Sequence, residues 1–303
     1  MREAFLQKLR SPDDHTGLHL EAGELVSEKG DWSYELKEGI PVLLAKEMVA
    51  AMSSEVHDQF GTDFQYVEHY QEDARQFDYF KEAPCKASEE EARRLHQTIL
   101  SEMPINNDWV LDVGCGAAWV AGALCPKGKK VISFDISYDN PAKAQKKYPF
   151  ENHFSLVGDA FNIPMHDNAV DAIVASEIIE HVPNPAAFLK ELFRVLKPGG
   201  KLIVTTPYNE KIIYSLCIHC NRPTPMHAHL HSFTEKGILN LTRGLQHAKG
   251  NSSGFSNKMP ILLRLNTLLS FLPYGAWKVL DQFLNTIIKK PSRLLLTIEK
   301  QAH

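Results

Sequence analysis

Two short stretches hold residues whose types and spacing could do chemistry. VLDVGCGAAWV, residues 110–120, is an apolar run that ends in Gly114-x-Gly116 and passes into a helix-forming segment. Glycines at such a turn let backbone approach a ligand closely, and the amino end of the following helix favours negative charge. Three acids are spaced around the turn: Asp112 lies before the first glycine, Asp135 ends the next apolar run, and Asp159 follows Gly158 at the end of the third. A carboxylate at 135 can accept both hydroxyls of a ribose, and one at 159 can accept from an adenine amino group. The second stretch is CIHCNRPTPMHAHLHSF, residues 217–233. Cys217 and Cys220 have zinc-knuckle spacing, and His227 with His231 would complete a tetrahedral structural zinc site, leaving His229 for an acceptor. The competing reading is a reduced cysteine pair and loop histidines that only hydrogen-bond.

The elements that must position these residues alternate. From WVLDVGC onward, apolar strand runs (KVISFDI, HFSLVGDA, VDAIVAS, KLIVTTP) are separated by helical segments such as PAAFLKELFRVL. That order predicts right-handed crossovers and a mostly parallel sheet, with ligands at the carboxyl ends of the strands. Residues 1–45 read as a small β unit, and residues 46–103 as a helical lead-in whose aromatics Tyr66, Tyr70, Phe77, Tyr79 and Phe80 could cover the glycine turn. Tyr70 is the one singled out as a lid residue. Residues 104–303 form the main domain, with an insertion at 208–290 on the acceptor side, where Tyr208 and His229 are expected. Within the insertion the polar GNSSGFSNK reads as a loop or an irregular strand. Two apolar helices follow, one facing inward with Ile261, Leu265, Leu268 and Leu272, the other with Trp277, Leu280, Leu284 and Ile287. RLLLTIEK is the last strand.

At this point residues 108–207 resemble a class I S-adenosylmethionine-dependent methyltransferase. The resemblance rests on VLDVGCG, FDIS, GDAFNIPMHDNAVDAIVASEIIEHV and FRVLKPGGKLIVTTP. It implies an α/β Rossmann-like methyltransferase fold with a mostly parallel seven-stranded sheet, helices on both faces and S-adenosyl-L-methionine as methyl donor. It further implies that Gly114, Cys115 and Gly116 line the methionine part, Asp135 and Ile136 the ribose and adenine, Asp159 and Ala160 the adenine, and Glu177 the edge of the pocket. Such motifs usually carry one more glycine where this chain has Ala118, which predicts a tighter turn. A nicotinamide dehydrogenase would need a glycine at Trp119. A sulfonium methyl is already activated, so the protein has to align an acceptor and exclude water. His181, in SEIIEHV, is the candidate general base.

Residues 9–44 resemble the small zinc-ribbon-like family that includes the activator subunit of certain methyltransferases. All four positions where that pattern carries cysteine are changed, to Ser11, Asp14, Ser27 and Gly30. The unit is therefore expected to lack zinc and to be held by packing. The whole chain has 303 residues, five cysteines and a net charge of -4. That balance gives no general electrostatic reason to bind nucleic acid. No apolar run reaches the ~20 residues that cross a bilayer. A cytoplasmic methyltransferase acting on a small-molecule acceptor, hydrophobic or lipid-linked, is the expected function, with peripheral membrane contact through the insertion and Lys289, Lys290 and Arg293 near headgroups. RNA or protein methylation, or a non-catalytic donor-binding role in assembly or regulation, are the alternatives.

Overall fold

The computed structural model describes residues 2–46, 66–218, 221–263 and 265–302. In chain order the strands are β1 (Leu18–Glu21), β2 (Glu24–Ser27), β3 (Ser33–Tyr34), β4 (Leu36–Lys37), β5 (Ile40–Leu43), β6 (Trp109–Val113), β7 (Lys130–Asp135), β8 (His153–Gly158), β9 (Val170–Ser176), β10 (Leu196–Pro207), β11 (Tyr214–Leu216), β12 (Pro223–Pro225), β13 (Ala248–Asn257) and β14 (Pro291–Lys300). The central sheet runs β13-β14-β10-β9-β6-β7-β8-β5-β4. The pairs from β10 through β9, β6, β7 and β8 to β5 are parallel, whereas β14 is antiparallel to both β10 and β13.

The middle strands are buried on both faces, which is why they read as continuous apolar runs rather than alternating ones. All five residues of β6 are buried. Each fully buried Val or Leu there contributes about 1.5–3 kcal/mol of burial. The helix Pro185–Val195 illustrates how the crossovers are specified. Pro185 fits its first turn, the Asn184 side chain accepts from the Ala187 N–H, and Phe188, Leu189, Leu192 and Phe193 turn inward.

Three expectations are corrected. The sheet has nine strands rather than seven, because β5 adds in parallel to the β8 edge and brings β4 with it. The amino-terminal unit is therefore not a separate layer. Its Phe5, Leu9, Leu18, Leu25, Tyr34 and Leu43 share one core with Trp109, Phe134 and Leu156. Secondly, residues 250–257 of the polar GNSSGFSNK take the strand alternative as part of β13, an edge strand of the sheet, so the 208–290 segment is divided by a strand instead of forming one insertion. Its alternating exposure, with serines and glycines on a solvated edge, conceals the strand from an apolar-run criterion. Thirdly, the helix Tyr274–Ile287 buries Trp277 and Asp281, while Ile287 is 62% exposed. A buried aspartate displaced the expected face. Asp281 accepts from the backbone N–H groups of Ser256 and Asn257, so it pins the helix to β13.

The four positions at which a ribbon would carry cysteine form two hydrogen-bonded turns. Ser11 Oγ lies 2.8 Å from the Tyr34 hydroxyl and accepts from the backbone N–H of Asp14, while Ser27 Oγ accepts from that of Trp32. Gly30 N–H donates to the Ser27 carbonyl with φ +79°, a conformation suited to glycine.

Candidate functional site

Four adjacent strands deliver the predicted residues to one end of the sheet. Asp112 lies in β6, with Gly114, Cys115 and Gly116 directly after it. Asp135 and Ile136 end β7, Asp159 and Ala160 follow β8, and Glu177 follows β9. The carboxyl ends of neighbouring parallel strands are where open α/β sheets bind ligands.

The turn after β6 is held in left-handed backbone: Gly114 has φ +63°, Gly116 +44° and Ala118 +51°. A side chain at Gly114 would start 2.3 Å from Ile178 Cδ1, so this turn and the loop after β9 touch without room for a methyl. Ala118 pays strain that glycine would not, of about 1–2 kcal/mol. Its methyl is wholly buried beside Cys115 and Ala144, which offsets about 0.8 kcal/mol. The alanine thus sits in the left-handed conformation that glycine would take there. The Cys115 N–H donates to the Phe134 carbonyl and ties the turn to β7.

Asp135 is oriented by its own loop. Its Oδ1 accepts from the Ser137 N–H and hydroxyl, and its Oδ2 accepts from Asn140 Nδ2. Burial still raises its pKa. Asp112 is buried, and desolvation, followed by repulsion from Asp135, pushes its carboxyl well up. Its Oδ2 is buried with no hydrogen-bond partner among the described residues. Burial likewise pushes Asp159 up to about 6, against the Phe161 N–H that its Oδ1 accepts. An orphaned carboxylate oxygen and two glycines in left-handed backbone make a cradle that fits an adenosyl donor with an amino-acid tail.

Aromatic residues of the lead-in face this cradle. Tyr66 and Tyr70 pack edge to face at 5.2 Å, and Tyr66 meets Phe161. The Tyr70 hydroxyl donates to the His181 carbonyl at 3.3 Å. The Tyr79 ring lies against Gly116, and Phe80 packs on the Cys115–Ala118 cluster. Phe77 is 63% exposed and is not part of the cover.

Beyond the glycine turn the loop after β9 and residues 208–233 meet. The His181 ring stands against Tyr70 at 6.1 Å and against His229 at 4.7 Å. Burial, then the neighbouring His229, lowers His181 to about 4. A neutral imidazole of that basicity is a poor proton acceptor at neutral pH, because a general base works best near the operating pH. His229 Nδ1 is bonded to Glu210. Glu180 is buried, and desolvation, then Glu177, pushes its carboxyl well up.

The expected zinc set is only partly described. Cys220 lies outside the described residues, and among the described residues Cys217, His227 and His231 do not gather as a ligand group; Glu180, His181 and His229 do. His227 and His231 instead flank rings of His229 and Phe233 respectively. Tyr208 is committed elsewhere, donating from its hydroxyl to Glu235, which also binds Lys289. Glu177 has φ +58°, and Arg293 of β14 donates to its carboxylate. Arg293 therefore faces the site rather than a membrane headgroup. Sequence reasoning missed Glu180, Glu210 and Arg293. The first two sit within a few residues of Glu177 and Tyr208 and carried a readable signal as acids at strand ends, while Arg293 gave none.

Comparison with known proteins agrees with this geometry. A mitochondrial ubiquinone biosynthesis O-methyltransferase from Rattus norvegicus is 33% identical over 121 residues, 38% of this chain and 35% of that protein. The Bradyrhizobium ubiquinone biosynthesis O-methyltransferase is 33% identical over 130 residues, 42% of this chain and 48% of its own. A malonyl-[acyl-carrier protein] O-methyltransferase from Hamiltonella defensa is 30% identical over 102 residues, 34% of this chain and 39% of its own. The chain thus spans less than half the length of these relatives. Among solved structures, a chain of the Haloferax volcanii Trm112 methyltransferase-activator complex superposes with TM-score 0.53 at 18% identity, covering 78% of this chain and 98% of its own. The [4+2]-cyclase SpnF superposes with TM-score 0.52 at 18% identity, covering 79% and 97%. These establish the Rossmann-like methyltransferase fold. Residues 111–204, which carry the glycine turn, Asp135, Asp159, Glu177 and His181, match the family model described as a methyltransferase domain.

Proposed function

We propose that this protein is an S-adenosylmethionine-dependent methyltransferase that acts on a hydroxyl of a small, apolar acceptor. One observation carries the donor assignment: Asp112, the left-handed Gly114-x-Gly116 turn, Asp135 and Asp159 converge at the ends of adjacent parallel strands. When bound, S-adenosylmethionine supplies a methyl group already activated on a sulfonium. The chain's own residues then have three tasks. Asp135 and Asp159 hold the nucleoside, Gly114 and Gly116 bring backbone against the amino-acid tail, and Tyr66, Tyr70 and Tyr79 exclude water from above. The relatives named for ubiquinone biosynthesis and malonyl-[acyl-carrier protein] support an oxygen acceptor on a small or carrier-borne molecule.

An apolar acceptor is favoured by the surface around residues 259–288. Leu262, Leu268, Phe271, Val279, Phe283 and Ile287 are each at least 59% exposed. Apolar groups concentrated in this way mark a contact surface rather than the scattered exposure normal for monomers. No helix among the described residues is long and apolar enough to cross a membrane. Lys289, paired with Glu235, borders this surface.

Calorimetric titration with S-adenosylmethionine tests the donor assignment. The wild type should bind in the micromolar range typical of cofactor sites, and Asp135→Asn should weaken it by about 10–100-fold, the loss of charge-assisted hydrogen bonds worth ~1.5–3 kcal/mol. Equal affinity in both proteins would reject it. Lipid and metabolite profiling with and without the protein then identifies the acceptor by a mass difference of one methyl group.

A further inference from the structure

Glu180, His181 and His229 offer one donor atom each, and these atoms lie within 4.8 Å of one another. Two of the three residues carry buried atoms with no hydrogen-bond partner among the described residues, Glu180 Oε2 and His181 Nδ1. Leaving both unsatisfied costs about 1–3 kcal/mol each. Glu180 is buried, with 1% of the residue exposed. The third member, His229, is only half-buried and has Glu210 on its Nδ1, which leaves Nε2 as the lone-pair nitrogen. A histidine whose far nitrogen is held by a carboxylate is the usual arrangement behind a metal-ligating imidazole.

The backbone holds the three together. The N–H groups of Leu230 and His231 donate to the Glu180 carbonyl at 2.7 and 3.2 Å, so the segment bearing His229 is clasped to the loop bearing Glu180 and His181. Two imidazoles and one carboxylate suit a divalent first-row transition cation and leave coordination positions open.

We propose that Glu180, His181 and His229 bind a divalent first-row transition cation, oriented by Glu210 behind His229, which takes the acceptor's hydroxyl oxygen as a further ligand. This rests on the methyltransferase reading above. Coordination lowers the hydroxyl's pKa, so its proton leaves to solvent. The resulting alkoxide or phenolate oxygen forms the new O–CH₃ bond as the S–CH₃ bond breaks and its electron pair returns to sulfur. The products are the methyl ether and S-adenosylhomocysteine. In this scheme His181 is a ligand, consistent with its weakness as a base.

The test uses the untagged full chain, stripped with chelator and titrated with Zn²⁺, then with Co²⁺ for its visible spectrum. About one equivalent of Zn²⁺ should bind, and the Co²⁺ spectrum should lack thiolate charge transfer. Glu180→Gln and His229→Ala should lose binding, Glu210→Gln should weaken it by about 10–100-fold, and Cys217→Ser should leave it unchanged. Less than roughly a tenth of an equivalent in the wild type overturns the proposal. So does thiolate charge transfer, or retained stoichiometry in both Glu180→Gln and His229→Ala. Donor calorimetry on the stripped protein separates the two readings. Donor binding without metal binding removes only the cation, and metal binding without donor binding removes only the methyl donor.

Discussion

Asp159 shows how burial and ligand recognition oppose each other at a single residue. Its carboxyl is raised from 3.8 to about 6 by desolvation, so the folded state binds its proton more tightly than the unfolded chain does. Its stabilising contribution is therefore fully present below about pH 3.8 and is lost as pH rises through about 6. Donor binding as proposed has the opposite sign, because an adenine amino group would donate to the ionised form. Affinity for S-adenosylmethionine should be flat above pH 7 and weaken by up to about tenfold per pH unit below 6, as expected for one linked proton. Calorimetry between pH 5 and 8 checks this, with Asp159→Asn expected to remove that part of the dependence. Glu177 presents a related conflict. Its left-handed backbone and its pairing with Arg293 make it a brace between β9 and β14, while its Oε1 is buried with no hydrogen-bond partner among the described residues. A sequence shows that an acid stands there but not which cation, more than a hundred residues on, has taken its charge.

The helix Tyr66–Gln76 is the element best placed to control access. Tyr66 and Tyr70 lie one turn apart, and Tyr70 reaches the His181 carbonyl while its ring meets the imidazole. Tyr70→Ala should weaken donor binding by about 10-fold and, by removing ring contacts worth ~0.5–1.5 kcal/mol within the protein, lower the unfolding midpoint only modestly. Equilibrium dialysis together with urea denaturation separates a cover from a core element. The legibility of elements follows the same physical divide. β6, β7, β8, β9 and β10 were readable because burial on both faces writes itself as an apolar run, and the glycine turn because only a few residues tolerate its backbone. β13 was obscured, since an edge strand built of Asn, Ser and Gly has one solvated face and resembles a loop. The helix Tyr274–Ile287 misled because its apolar positions outnumber those it buries, and Asp281 decides which side faces β13. Of the histidines of residues 227–231, His229 meets partners from another loop, His181 and Glu180, which spacing cannot show.

At the scale of the molecule, one end of the sheet gathers the donor cradle, while the exposed apolar side chains of residues 259–288 form a surface beside β13. If that surface receives apolar acceptors, Phe283→Glu with Ile287→Glu should preserve S-adenosylmethionine affinity and the fold. The same double variant should abolish flotation with anionic lipid vesicles, and equal flotation of variant and wild type would show that the surface serves something other than a lipid phase. β14 has a consequence of another kind. It lies between β10 and β13 although it follows both in the chain, and Arg293 within it pairs with Glu177. Until residues 291–300 are made β10 keeps an open edge, so the strands before β14 can pair before that side of the sheet is closed. A translational stall before Pro291 would leave an aggregation-prone edge at β10, which makes this ten-residue strand the shield of that edge.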